Sequence, residues 1–246
     1  MPITFEQHCI DYLKTLRALH GSALTTAELS LRTALENFLK RTSETFARPV
    51  QFIGEGKRIQ VGRPDFIVTM NELPIGYVEA EAYGVSLDHL TGHAKEQNDR
   101  FRANLDNFLL TNHLEFRLYL GGELVDSARL PVPPDSGAVK VSESDAGALA
   151  ILLERFMSGQ LPSITDPRDL ATHLARRTRQ MGNEVRAAIA AQIRSESGDL
   201  IGQYHAFRDI LLPELTEAQF ADMYAQTVAY GLFAARCAAP SADRSG

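Results

Sequence analysis

The sequence predicts an α/β domain, a mixed sheet flanked by helices, followed by an all-helical connector. Three observations carry that expectation. Apolar residues alternate in short runs from Pro49 to Val78 and again from Phe108 to Leu130, with a polar helical stretch between the two groups. Two of the runs, Phe66 to Met70 and Ile75 to Val78, are joined by Asn71-Glu72-Leu73-Pro74, which reads as a hairpin turn between paired strands. From Asp145 onward the apolar spacing is helical almost throughout. Helix, antiparallel strands, helix and strands, in that order, fit a mixed sheet.

Taken in order, Thr4 followed by Gln7 reads as a capping box opening a helix to about Leu19, which Gly21 ends. A second helix starts near Thr26 and carries Leu31, Leu35, Phe38, Leu39 and Phe46 at helical spacing, with Glu28, Arg32 and Glu36 one turn apart beside them. Pro49 to Val61 reads as strand, turn and strand about Gly54-Glu55-Gly56. The hairpin comes next, then a break at Ala82-Tyr83-Gly84 and a polar helix from Asp88 to Asn104. Phe108 to Thr111 and Glu115 to Leu120 are strands of buried type, and Gly121-Gly122 turns into a third, Leu124 to Leu130. The Pro-rich segment Pro131 to Pro134 closes a first domain of residues 1–135. A helical domain of residues 136–238 follows, with helices at Asp145 to Met157, from the N-cap Asp166 and Pro167 to about Arg194, at Asp199 to Leu211 and at Thr216 to Arg236. Residues 239–246 read as a disordered tail.

Composition excludes several classes. At 246 residues the chain can bury a full core, and its 44% hydrophobic and 23% charged content is that of a globular protein. There is no apolar run of membrane-span length and no export signal, so a cytoplasmic location is expected. Cys9 and Cys237 stand at opposite ends in no metal or redox spacing and read as ordinary thiols. A net charge of -6 argues against non-specific coating of nucleic acid but leaves room for a local basic groove. The sequence has no Gly-rich phosphate loop, no serine nucleophile elbow and no methyltransferase cofactor motif. His89 and His93 are one helical turn apart, but no third ligand accompanies them, so no zinc site is assigned.

The chemistry sits in the hairpin. Asp65 begins its first strand, and Glu79 and Glu81, one residue apart, come late in its second. Side chains i and i+2 of a strand share a face, so Glu79 and Glu81 look one way while Ala80 looks into the core. Three carboxylates converging on one end of the sheet suit a hard divalent cation such as Mg²⁺.

Pro64-Asp65, thirteen intervening residues and Glu79-Ala80-Glu81 resemble the core motif of the PD-(D/E)XK nucleases, with Glu81 where that superfamily usually has lysine. The likeness continues through GYVEAEAYGVSLD, HAKEQNDRF and NFLLTNHLEFRLY. These look like the N-terminal region of large restriction-modification polypeptides, in which a nuclease precedes an adenine-N6 DNA methyltransferase. The late segment FADMYAQTVAYGLFAAR is similar to the helical stretch just before that methyltransferase.

The resemblance implies a restriction-endonuclease-like sheet and a Mg²⁺- or Mn²⁺-dependent endonuclease of phage defence that cuts duplex DNA. It implies metal ligation by Asp65, Glu79 and the backbone carbonyl of Ala80. It brings a glutamate of the first core helix toward the metal, for which Glu36 is chosen over Glu28; a solvated charge ladder is the other reading of that helix. It sets Gln97 near the scissile phosphate with Arg100 on the same helix face, against a plain solvent-facing helix. Glu81 then has two readings. Either it serves as general base or as ligand to a second metal, or the site has lost catalysis and the chain is a DNA-binding and docking module for the methyltransferase. Lys95 and Lys57 are the candidates to supply the missing positive charge.

Arg168, Arg176, Arg177, Arg179, Arg186 and Arg194 outweigh Asp169, Glu184 and Glu196 along the long connector helix. Such a stripe tracks a phosphate backbone, or is a solvated face, or pairs with a neighbouring domain. Few aromatics stand among the arginines, which favours duplex over single-stranded DNA. The methyltransferase and target-recognition domains are expected in the same polypeptide or in a partner chain. The end just past AYGLFAAR reads as an excised segment or a split gene.

Overall fold

The computed structural model of the chain describes residues 4–20, 27–54, 62–159, 166–195 and 197–238. It divides into two compact units, Met1–Pro162 and Ser163–Gly246. The first is the expected α/β domain. It contains α1 (Phe5–His20), α2 (Ala27–Thr45), β1 (Val50–Gly54), β2 (Phe66–Met70), β3 (Leu73–Ala80), α3 (Gly92–Asn104), β4 (Asn107–Thr111), β5 (Glu115–Leu120), β6 (Glu123–Arg129) and α4 (Glu143–Ser158).

The six strands lie in sequence order, β1 to β6, and form a mixed sheet. Every neighbouring pair is antiparallel except β3 and β4, which run parallel. Parallel neighbours cannot be joined by a tight turn, and α3 makes the crossover. The β2–β3 hairpin turns on Asn71 and Glu72 alone, both with positive φ (50° and 66°), the backbone of a two-residue hairpin loop whose twist matches the strands. Leu73 and Pro74, expected in the turn, belong to β3.

Strand alternation gives the sheet two apolar faces. Phe66, Val68, Val78, Leu109, Phe116, Leu118 and Leu120 face α1, α2 and α4, whose Leu13, Leu16, Leu35, Leu39, Leu149, Leu153 and Phe156 complete one core. Phe108, Leu110 and Tyr119 face the other way onto Phe101 and Leu105 at the end of α3.

Two further boundaries differ from the sequence reading. The helix expected from Asp88 begins only at Gly92, whose φ of 55° cannot continue a right-handed helix from upstream. His89 and His93 therefore do not share a helix. The division of the chain falls after Pro162, not at residue 135, because α4 buries Ala146, Leu149, Leu152, Leu153, Phe156 and Met157 in the core of the sheet. The Pro-rich segment is part of that unit. Arg17 Nη1 donates to the carbonyls of Gly137 (2.8 Å) and Pro134 (3.3 Å), while Leu130, Val139 and Val141 are buried around it. The expected second strand up to Val61, Lys57 and the tail 239–246 lie outside the described residues.

The second unit is helical, with α5 (Pro167–Ser195), α6 (Asp199–Ile210) and α7 (Glu217–Ala238) around Val185, Ile189, Tyr204, Leu215, Phe220 and Ala221. Its helices begin where the sequence places them. Asp166 caps α5 by accepting from Arg168 N at 2.6 Å, and Thr216 and Gln219 form a reciprocal capping box on α7. Among the described residues no helix is long and apolar enough to cross a membrane.

Candidate active site

Asp65 immediately precedes β2, and the β2–β3 register sets Phe66 opposite Val78, so Asp65 and Glu79 meet across the hairpin. The contact is reciprocal. The Asp65 N–H donates to Glu79 Oε2 at 3.2 Å, and the Ala80 N–H donates to Asp65 Oδ2 at 2.8 Å. Glu81, the residue after β3, is held by its own N–H on the Thr111 carbonyl at 2.7 Å, which extends the parallel β3–β4 ladder. Gln97, one turn into α3, donates its Nε2 to Glu79 Oε1 at 2.5 Å.

The site thus lies at the C-terminal edge of the parallel pair, where an open α/β sheet and its crossover helix leave a crevice. A cleft of about 500 Å³ opens there, lined by Glu28, Arg32, Glu79, Glu81, Tyr83 and Gln97, with His20, His93 and His113 at its margins. Ala80, whose side chain packs on the α1–α2–α4 core, also borders it.

Burial dominates the electrostatics. Asp65 and Glu79 are only 7% and 8% exposed, while Glu81 is half-buried. Burial pushes the Glu79 carboxyl up to about 9, and the charges of Asp65 and Glu81 add to the effect. Burial likewise raises Asp65, against the pull of the Ala80 N–H and of Arg32. Glu81 is raised by burial and then by Asp65. A cluster of this kind is short of positive charge.

Arg32, on the first turns of α2, partly supplies it. Its Nη2 sits 2.9 Å from Asp65 Oδ1 and 2.7 Å from Glu28 Oε1. The sequence reading misses this role, because helical spacing gives Arg32 the same place as Glu28 and Glu36 in a charge ladder. The one local signal is its position next to Leu31 and Leu35, at the border of the buried stripe. Glu36, the residue chosen from that helix, is a correction. It lies one turn further along, pairs with Lys40 at 2.6 Å and does not line the cleft, whereas Glu28 does.

Other candidates separate in the same way. Lys95 points its ammonium to Asp99 at 2.6 Å, on the exposed side of α3. Arg100 is exposed, with its guanidinium over the Phe101 ring and close to Gly62, and is not among the cleft residues. In the second unit Arg176 is half-buried, Arg177 and Arg179 are exposed, and Arg186 approaches Asp222 at 3.5 Å. His113 carries no signal in the sequence. It enters from the β4–β5 turn with a φ of 74°, buried, its Nδ1 3.4 Å from the Tyr12 hydroxyl, and burial pushes its imidazole down to about 4.

Two buried carboxylates, a third that is half-buried and a strand-end carbonyl present hard oxygens, the donor type that divalent cations such as Mg²⁺ take. Each carboxylate oxygen already holding an N–H keeps a further lone pair. As placed, no group of three His, Cys, Asp or Glu side chains among the described residues is arranged to hold a metal ion.

No protein-family model and no curated protein matches this chain. Among solved structures it is similar to a chain in the cryo-electron-microscopy structure of a DrdV–DNA complex, at 23% identity and a TM-score of 0.47, over 63% of this chain and 97% of that one.

Proposed function

We propose that the first unit is a metal-dependent endonuclease acting on duplex DNA, as a module of a restriction-modification or related phage-defence enzyme. One observation carries the reading. Asp65, Glu79, Glu81 and Gln97 come together from two strands and a helix at the open edge of a parallel strand pair. Buried carboxylates gathered without a full complement of cations are the usual mark of a site built for charge chemistry.

Asp65, Glu79 and the Ala80 carbonyl would hold Mg²⁺ or Mn²⁺, which when bound supplies an acidified water and a Lewis acid for the phosphate. The chain's own groups do the rest. The Ala80 N–H fixes the Asp65 carboxylate, and the Gln97 amide fixes that of Glu79, so neither needs to reorganise during the reaction. Glu81, at the rim and less buried than the other two, is the group suited to take a proton from the attacking water. The arginines of α5, Arg176, Arg177 and Arg179, are assigned to the DNA backbone together with Arg100 of α3. Adenine-N6 methyltransferase and target-recognition domains complete the system.

A second reading has a specific observation behind it. With glutamate at position 81 and no three-ligand metal arrangement among the described residues, the fold also suits a non-cutting module that binds DNA and docks the methyltransferase. A nicking assay on duplex DNA with Mg²⁺ or Mn²⁺ separates the two. Metal-dependent cutting is expected, reduced at least about 100-fold by Glu79→Ala, the scale of losing one group that stabilises transition-state charge. Salt-dependent DNA binding with no cutting by the unaltered chain would leave the docking reading standing.

A further inference from the structure

Hydrolysis of a phosphodiester spreads negative charge over the phosphate oxygens, and the carboxylates of Glu28 and Glu81 in the wall of the pocket repel them. The residue at position 81 adds to that repulsion. A fixed cation in the cleft would offset that repulsion beside a bound metal, and the structure offers one. Arg32 lines the cleft, and among the described residues it is the only lysine or arginine that does. Lys95 faces Asp99, and Arg117 is held by Asp88 and Glu115.

The hydrogen bonding of Arg32 is incomplete. Both of its ion pairs use the same nitrogen, Nη2, which reaches Asp65 Oδ1 and Glu28 Oε1. Its Nε is buried and has no hydrogen-bond partner. Nη1 takes part in neither ion pair and, unlike Nε, is not among the buried polar atoms without a partner. A guanidinium keeps its charge at any working pH, and a single N–H of it donates a charge-assisted hydrogen bond to a phosphate oxygen. Glu28 lies one turn before Arg32 on α2 and holds Nη2 beside Asp65.

We propose that Arg32 is the phosphate-binding cation of this site: it stays anchored to Asp65 and Glu28 through Nη2 and turns Nη1 to a non-bridging oxygen of the scissile phosphate. Arg32 thereby takes, from a helix, the charge-neutralising task that position 81 cannot perform. The inference deepens the endonuclease reading and rests on it.

The test uses the full chain and two independent readouts. The first is single-turnover cutting of a duplex in Mg²⁺ or Mn²⁺ by the unaltered protein, Arg32→Ala, Arg32→Lys and Lys14→Ala, a surface control on α1 whose ammonium pairs with Asp11. Arg32→Ala is expected to cut at least about 100-fold more slowly, Arg32→Lys to recover part of the loss, and Lys14→Ala to match the unaltered chain. The second is the nitrogen-15 resonance of the Arg32 Nε–H, identified by its disappearance in Arg32→Lys, followed as a short duplex is added with Ca²⁺. It is expected to shift, and still to shift if the unaltered protein proves unable to cut, in which case hydrolysis is refuted and the phosphate contact stands. If Arg32→Ala cuts within about three-fold of the unaltered chain, well short of the loss expected for such a donor, the proposal is overturned. An Nε–H resonance that does not move on adding DNA overturns it as well.

Discussion

The Glu79 carboxyl is where a single proton has the largest consequence. Burial and two neighbouring acids hold it to about 9 in the folded chain, against 4.5 for an ordinary glutamate. Between those values the folded chain keeps a proton that the unfolded chain has released. Stability present at low pH is therefore lost as pH rises through the window. Metal-free protein is expected to lose several degrees of Tm between about pH 5.5 and about pH 8.5, at roughly 2–4 °C per kcal/mol, and Glu79→Gln to lose clearly less. Parallel losses in the two proteins, measured by circular dichroism melts, would exclude Glu79 as the cause. That Asp65, Glu79 and Glu81 could share a sheet edge was legible because strand periodicity is two and the hairpin fixes register. The contact of Arg32 with Asp65 was not, since a helix shows which residues share a face but not which turn of it lies beside a given strand.

Among the elements, α4 was recognised as a helix and misplaced as a domain. Its amphipathic pattern was readable locally, although the helix starts at Glu143, two residues before the expected Asp145, behind a cap in which Ser142 accepts from Asp145 N at 3.0 Å. Its partner was not, because the proline segment before it resembles a linker until Arg17 is seen to hold it. The fit of α4 on β3 depends on Gly76. A Cβ there would come within 2.7 Å of the Phe156 ring and 3.0 Å of Asn107 Nδ2, the amide that bonds the carbonyls of Ile75 and Phe156. Gly76→Ala is expected to destabilise the first unit by about 1–3 kcal/mol, the cost of overpacking, and a urea midpoint unchanged from the wild type would contradict that packing. For α5 the test is ionic. Replacing Arg177 and Arg179 by alanine is expected to weaken duplex binding and to reduce the slope of log K against log salt by about 1 for each phosphate that is no longer neutralised. A slope that does not change assigns those side chains to a solvated face.

For the molecule as a whole, the division after Pro162 makes a prediction that the proline segment alone would reverse. A fragment of residues 1–162 carries both faces of the sheet covered and is expected to melt cooperatively. A fragment of residues 1–135 lacks α4, uncovers the apolar face around Leu118 and Leu120, and is expected to show no cooperative transition by circular dichroism or calorimetry. Cooperative melting of the shorter fragment would show that α4 is dispensable. The fold class was legible from period alone, whereas the unit boundary depended on long-range packing that no local pattern records.

The parallel pairing of β3 with β4 also sets a timetable. Asp65 and Glu79 belong to one hairpin and can meet as soon as it closes, a local event. Gln97 and the Thr111 carbonyl arrive only after the longer α3 connection has wrapped round, at greater loop-closure entropy. In refolding followed by pulsed deuterium labelling, the amides of β2 and β3 that bond each other are expected to gain protection before the Glu81 amide does. Newly made chains would then pass through a stage in which the acidic pair has assembled ahead of the groups that steady it.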